Sequence, residues 1–345
     1  MLFKADNSCA KIDGSLKSPK SPLVSVVIPC LNRADFLTPT LESVLQQDYP
    51  NIECMVVDGG STDGTSGILR RYDGRIKWQS QPDRGPWDAI NKGWGMCNGD
   101  VVAWLNADDV WAPRAVSAVL EYLVKHPEVD VVYGDCGIID EYGKHTDTVR
   151  IRDWDLEYAV KYCDHIIFQA ASFIRRSILD RVGWLYPRLC HDHELWLRIS
   201  LAGGKLQHVP VLLAYARDHA ANLGYRSDIV VPLKLSITKD FFANPLVPPR
   251  LVPLRDRAIS NAYLRGIDYV FLGSFEWRRD VSACLNLLLN AVRADPTNAP
   301  RAVKYFFSFT LRLVSKILRF CLTDDGYEWL RSAKRRLLGN LYLGN

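Results

Sequence analysis

The chain lacks what builds secreted, disulfide-stapled or membrane-crossing proteins. Its nine cysteines, Cys9, Cys30, Cys54, Cys97, Cys136, Cys163, Cys190, Cys284 and Cys321, stand singly with no CxxC pair. An odd, scattered set excludes a disulfide framework and reads as reduced thiols. No run of about eighteen or more apolar residues occurs, so no spanning helix is expected. The opening residues, MLFKADNSCAKIDGSLKSPKSP, lack the apolar centre of a secretory signal. A cytoplasmic location follows as an expectation, with room for a peripheral place on the cytosolic face of a membrane. Glycine is missing from PCLNRADF, after the first expected strand. That absence excludes the GxGxxG turn of a dinucleotide oxidoreductase. It also argues against the glycine-rich phosphate loop of a sugar nucleotidylyltransferase. A net charge of +4 over 345 residues is too small to suggest nucleic acid as a partner.

What is present is a globular composition, 48% hydrophobic and 24% charged, long enough for two parts. Residues 1–21 are polar and rich in Lys, Ser and Pro, and are expected to be disordered. LVSVVIP (Leu23 to Pro29) and IECMVVD (Ile52 to Asp58) are dense in β-branched residues, as in strands buried on both faces. Leu37, Leu41, Val44 and Leu45 recur at helical spacing between them. A short helix over Ile68, Leu69 and Tyr72, a strand near Ile76 to Gln79 and a helix from Trp87 to Met96 follow. Then come VVAWLNADD (Val101 to Asp109), a helix after Pro113 and the strand VDVVYGD. This alternation predicts an α/β fold, a mainly parallel sheet with helices on both faces. From Ile229 the character changes to a proline-punctuated linker and then helices, with AISNAYLRGIDYVFLG and EWRRDVSACLNLLLNAVRADP as a hairpin. The expected division is a catalytic domain over 22–228 and a helical region over 229–345.

Parallel sheets bind ligands at the carboxyl ends of their strands, and acidic residues fall there. Asp58 ends one strand and Asp108 and Asp109 end another. Two carboxylates at a strand end suit a hard cation, although Asp109 also suits a helix cap ahead of Pro113. Ser61, Thr62 and Asp63 in DGGSTDGT are cap or turn residues. QPDRGPWDAINKG carries Asp83 together with Arg84 and Lys92, the last two being cations suited to phosphate. In HDHELWLR, Asp192 opens an amphipathic helix as a general base or as a cap. The adjacent His191, Asp192 and His193 cannot converge on one zinc ion without contortion. YARDH places Arg217 and His219 two apart, on one face if extended.

Read in order, VSVVIPCLNR, LESVLQQDYP, IECMVVDGGSTDGT, SQPDRGPWDAINKG, GDVVAWLNADD and DHELWLR closely resemble the family-two glycosyltransferases. They cover roughly Leu23 to Tyr225. The resemblance implies a GT-A fold and an inverting transfer from a nucleotide-diphosphate sugar to a carbohydrate or lipid-linked sugar acceptor. It implies Mn²⁺ or Mg²⁺ as cofactor. Asp192 would deprotonate the acceptor. Pro29, Arg33, Asp58, Asp83, Arg84, Asn106, Ala107 and Arg217 would hold the nucleotide sugar, and Asp108 and His219 the metal. Two positions depart from the family pattern. Asn106 replaces the first acid of the Asp-x-Asp motif, leaving a neutral contact to ribose and the metal to Asp108. His191 replaces an acid before the base, where a protonated imidazole would lower the pKa of Asp192.

The segment KYFFSFTLRLVSKILRF (Lys304 to Phe320), followed by Lys334, Arg335 and Arg336, is apolar and basic. It suits the headgroup region of an anionic membrane or packing against the catalytic domain. In the first case the acceptor would be lipid-linked, as in bacterial surface polysaccharide assembly. A glycoside hydrolase would not need the strand-end metal motif. A non-catalytic scaffold would have no use for Asp108 and Asp192.

Overall fold

A computed structural model describes residues 21–164, 166–187, 191–219, 222, 227–272 and 277–321. The expected disordered segment, apart from Ser21, and the Lys334–Arg336 cluster lie outside those residues. Contacts divide the chain into two compact units. One comprises Met1–Trp154 and His165–Asp218, the other Asp155–Asp164 and His219–Asn345.

The first unit is built on β1 (Val24–Cys30), β2 (Ile52–Asp58), β3 (Lys77–Ser80), β4 (Val101–Trp104), β5 (Val110–Trp111), β6 (Val131–Ile139), β7 (His145–Val149), β8 (Ser172–Arg175) and β9 (Leu206–Arg217). Its helices are α1 (Ala34–Leu45), α2 (Thr65–Arg71), α3 (Pro86–Met96), α4 (Ala115–Lys125), α6 (Arg176–Val182) and α7 (His191–Leu201); α5 (Leu156–Tyr162) belongs to the second unit. The strands form one sheet in the order β3-β2-β1-β4-β8-β6-β9-β5, with β7 beside β6. The β3-β2-β1-β4 half is parallel, as the alternation implied. The other half is mixed: β8 runs antiparallel to both β4 and β6, while β6 and β9 are parallel. The acidic strand is shorter than expected. It ends at Trp104, and Leu105 to Asp109 turn away before β5 joins β9.

Val24, Val26, Val27 and Ile28 are fully buried, which explains the continuous β-branched run of β1. On one face Val24, Val26 and Ile28 pack with Leu37, Leu41 and Val44 of α1 and with Val116, Val119, Leu120 and Leu123 of α4. The other face receives α3, and there Gly93 decides the fit: a Cβ at that position would overlap Val27 Cγ1. Trp104 of β4 lies edge-on to Trp94 of α3 at 5.6 Å and stacks on Trp196 of α7 at 6.0 Å. Such ring pairs add about 0.5–1.5 kcal/mol each beyond the area they bury. They seat α3 and α7 on the strand that carries the acidic turn.

The second unit contains α5, α8 (Ser227–Ala243), α9 (Arg255–Leu272), α10 (Trp277–Ala294) and α11 (Ala299–Cys321). The residues after Ile229, expected as linker, begin inside α8, and the proline-rich stretch condenses into a 3-10 turn at Pro249–Leu254. The segment around α5 joins this unit because polar ties bind it to later helices. Asn261 Nδ2 donates to Lys161 O at 2.6 Å, Arg265 pairs with Asp164 at 2.7 Å, and Arg301 stacks over Tyr162 at 4.6 Å. Leu264, Ile267, Cys284, Leu288, Ala291, Ala302 and Phe309 form its apolar core.

Gly93→Ala should cost about 1–3 kcal/mol of unfolding free energy, read from the urea midpoint, because the added methyl enters a close-packed strand–helix contact. A Gly67→Ala control, where a Cβ meets nothing within 4 Å, should cost far less.

Candidate active site at the carboxyl edge of the parallel strands

Parallel pairing brings the carboxyl ends of β1 to β4 to one edge. Cys30 is in register with Asp58, Asp58 with Ser80, and Val27 with Trp104. Pro29, Arg33, Asp58, Asp83, Asn106, Ala107 and Asp108 lie on that edge or in the turns leaving it.

Two of these turns are stitched together. Asn32, at φ 51°, is held by its backbone N–H on Ser61 Oγ (2.7 Å) and by its Oδ1 accepting from Thr62 N (2.9 Å). Asp63 accepts from Ala34 N at 2.9 Å, at the start of α1, and from Thr65 N at 3.1 Å. The Ser61–Thr62–Asp63 trio thus joins the β1–α1 and β2–α2 turns as well as supporting α2. Asp58 is fully buried and accepts from Ser61 N (3.1 Å), Ser80 Oγ (2.5 Å) and Ser61 Oγ. Asp83 is half-buried, accepts from Gly85 N at 2.8 Å and lies over Gly59. A Cβ on Gly59 would come within 2.7 Å of Asp83 Oδ2, so only glycine lets that carboxylate approach the strand end. Arg84 is exposed, paired with Asp88 at 2.8 Å and stacked over Trp87 at 4.8 Å. Hydrogen bonding from Arg84 and Lys92 holds the Asp88 carboxyl down at about 2.

The acidic turn is fixed from three sides. From α1 and the turn that follows it, Thr40 Oγ1 lies 2.8 Å from Asp109 O, Ser43 Oγ accepts from Trp111 N (3.0 Å), and Gln47 donates to Ala112 O (2.9 Å) while accepting from Val116 N (3.2 Å). From β9, Arg217 Nε donates to Asp108 O (2.8 Å), and its Nη1 reaches Asp140 O (3.0 Å) and Glu141 O (3.2 Å). From within, the Asp109 carboxylate accepts from Arg217 N (3.0 Å), Asn106 Nδ2 (3.1 Å) and Gln169 Nε2 (3.3 Å). Asp109 is buried and caps no helix; α4 starts at Ala115 behind Arg114 without a side-chain cap. Burial, reinforced by the neighbouring Asp108 charge, pushes its carboxyl up to about 8.

Asp108 points the other way. It is partly exposed, and its Oδ2 accepts from Arg33 Nε at 3.1 Å. The two adjacent acids therefore divide: Asp109 holds the turn and Asp108 faces the edge. Asp192 sits half-buried in the first turn of α7, four residues ahead of Trp196 and so on the same helical face. Arg198 clamps that helix to the preceding loop. It chelates Glu194 at 2.8 and 3.0 Å and donates to Val182 O, Gly183 O and Trp184 O at 2.6–2.8 Å. Asn91 of α3 holds the same loop by two bonds to Leu185 (2.8 and 3.1 Å). The side chain of His191 lies outside the described residues. His219 is buried and follows β9, in the second unit. Thr40, Ser43, Gln47 and Gln169 hold the acidic turn and Arg198 holds α7, and sequence reasoning passed over all five. The signal for the first three was polar residues at i, i+3 and i+7 that start beside the apolar stripe of α1 and run just past its end.

Residues 25–183 match the model of glycosyl transferase family 2. The fold agrees. It is the GT-A type, and a solved mannosyltransferase, PcManGT from Pyrobaculum calidifontis in complex with GDP-Man and Mn²⁺, superposes with a TM-score of 0.57. That likeness covers 86% of this chain and 85% of the other at 18% identity. An uncharacterized glycosyltransferase of Rickettsia prowazekii is 31% identical over 212 residues, 58% of this chain and 65% of the relative. The O-antigen biosynthesis protein RfbC of Myxococcus xanthus is also 31% identical over 212 residues, 59% of this chain but 16% of its own length. The matches thus span less than two-thirds of those relatives. The matched segment, residues 25–183, contains every edge residue named above from Pro29 to Asp108.

The raised Asp109 carboxyl has a sign. Its folded pKa lies above the ordinary value of 3.8, so the folded state holds a proton that the unfolded chain has released. That contribution to stability is complete below about pH 4 and lost as pH rises toward 8. Asp109→Asn should flatten this fall, read as the urea midpoint measured at several pH values between about 5 and 8.

Proposed function

We propose that the chain transfers a sugar from a nucleotide-diphosphate donor to a hydroxyl of a carbohydrate or lipid-linked sugar acceptor, with inversion at the anomeric carbon. The observation that carries this reading is the gathering of Asp58, Asp83 and Asp108 at the carboxyl ends of neighbouring strands, within the family 2 segment. An O-antigen biosynthesis protein among the relatives favours surface polysaccharide or glycolipid assembly.

In this reading Asp58 and Asp83 hold the nucleoside, with Pro29, Asn106 and Ala107 lining the edge beside it. Asn106 meets the ribose as a neutral group, its amide already oriented by Asp109. Arg84 contributes from the rim. A divalent cation such as Mn²⁺ or Mg²⁺ would neutralise charge on the departing diphosphate. Among the described residues no three His, Cys, Asp or Glu side chains converge on one point. The donor set therefore suits a cation that arrives with its phosphates and takes one protein carboxylate, Asp108, with His219 as a second candidate ligand. Arg33, now against Asp108, becomes a positive group for the donor phosphates once that carboxylate is engaged. Arg217 serves by fixing the Asp108 carbonyl, with the diphosphate as its second expected contact.

Asp192 is the general base. Its carboxylate takes the proton of the acceptor hydroxyl as that oxygen bonds to the anomeric carbon, and the diphosphate leaves from the opposite side. Each atom is accounted for without a covalent glycosyl-enzyme. General-base catalysis of this kind is worth about 10²–10⁴-fold.

Asp192→Asn should lose turnover by about that factor while donor affinity by calorimetry stays within about twofold. Product configuration is read by NMR with a panel of UDP, GDP and dTDP sugars. Inversion is expected; retention would overturn the single-displacement mechanism, and unchanged turnover in Asp192→Asn would remove that residue as base.

A further inference from the structure

The last described helix, α11, divides into three arcs. Ala302 and Phe309 are buried, and with Tyr305 and Leu313 they pack on α9 and α10. A second arc carries the charge. Arg301 lies over Tyr162, Arg312 pairs with Asp268 of α9 at 2.8 Å, and Lys304 is exposed. The third arc is apolar and open to solvent. Val303, Phe306, Phe307, Leu311 and Val314 fall at i, i+3, i+4, i+8 and i+11, with exposures from 41% at Phe306 to 61% at Phe307. A helix apolar on its buried face needs no second apolar stripe for folding. A contiguous stripe of this kind marks a surface made to be covered.

The charge around the stripe identifies what covers it. Residues 299–321 hold five Lys and Arg and no Asp or Glu. Residues 299–345 hold nine basic and three acidic residues, net +6, against +4 for the whole chain, so residues 1–298 carry net −2. The small overall charge therefore conceals a strongly cationic end. A second copy of the same helix would set these like charges against each other. A bilayer with anionic headgroups offers opposite charge to the basic residues and hydrocarbon to the apolar stripe. No described helix is long and apolar enough to cross a membrane, which leaves lying in the interface.

We infer that the Val303–Phe306–Phe307–Leu311–Val314 face of α11 docks on an anionic lipid surface, with the aromatic pair inserted and the exposed Lys304 at the headgroups. This inference is independent of the sugar-transfer reading, and its test needs no enzyme activity.

The full chain is floated with vesicles of roughly one-third phosphatidylglycerol in phosphatidylcholine and, in parallel, with phosphatidylcholine alone. Flotation with the anionic vesicles only, weakened in about 0.5 M salt, is expected. Phe307→Ser combined with Val314→Ser removes exposed apolar surface without entering the core. It should cut the bound fraction about tenfold or more while circular dichroism and the melting temperature stay as in the parent chain. Lys304→Glu should weaken the preference for anionic vesicles with the stripe intact. Failure of the parent chain to float with anionic vesicles would overturn the inference, as would unimpaired flotation of the Phe307–Val314 variant. Light-scattering mass that halves in that variant, with no vesicle binding by the parent chain, would give the face to a second copy instead.

Discussion

The site depends on what becomes of the backbone once β4 stops. At Trp104 the chain leaves the sheet and turns through Leu105 to Asp109 within the protein, where each peptide group still needs a partner. Side chains supply them. Thr40 and Ser43 of α1 and Gln47 just past it meet the groups at Asp109, Trp111, Ala112 and Val116, and Arg217 of β9 meets Asp108. Asp109 closes the arrangement by turning inward onto the Arg217 amide. With both flanks held, the Asp108 carboxylate has one direction left, toward the strand ends. A turn held by water instead would leave that carboxylate mobile, and an oriented charge is worth most when it needs no reorganisation.

Much of this was legible because the signals were local. β1 and β2 are runs of β-branched residues; Asp58 ends one apolar strand and Asp108 lies four residues past another. The α9–α10 hairpin was visible in its periodicity. Other features depend on partners distant in sequence. β8 inserts antiparallel between β4 and β6, a pairing that no local pattern encodes. LNADD reads as a strand end, yet all five of its residues lie past the end of β4. Asp109 looked like a cap ahead of Pro113 because a helix follows; its real partners, Gln169 and Arg217, are 60 and 108 residues away. Arg175 and Arg176 are similarly opaque. The first donates to Leu123 O and His126 O behind α4, the second to Trp94 O and Cys97 O behind α3. Adjacent arginines finishing different helices leave no trace in the sequence but their charge.

The two units divide the chemistry. The first gathers carboxylates at a sheet edge within the segment that matches family 2, and the last described helix of the second carries cations and no anions. Averaging the two gives a charge near neutrality that describes neither. In the proposed reading the acidic edge takes a cation and through it a diphosphate, and the basic, apolar-faced helix takes lipid headgroups. Fold supplies the frame for both, and function is argued from the side chains on it.

The central claim is that Asp108 is presented to receive a cation carrying a nucleotide diphosphate. Calorimetric titration of UDP and GDP, each with and without Mn²⁺, into the parent chain and Asp108→Asn tests it most directly. The account predicts binding of at least one nucleotide that tightens with Mn²⁺ in the parent chain, and loss of the Mn²⁺ effect in the variant. Nucleotide binding equally strengthened by Mn²⁺ in both proteins would contradict it.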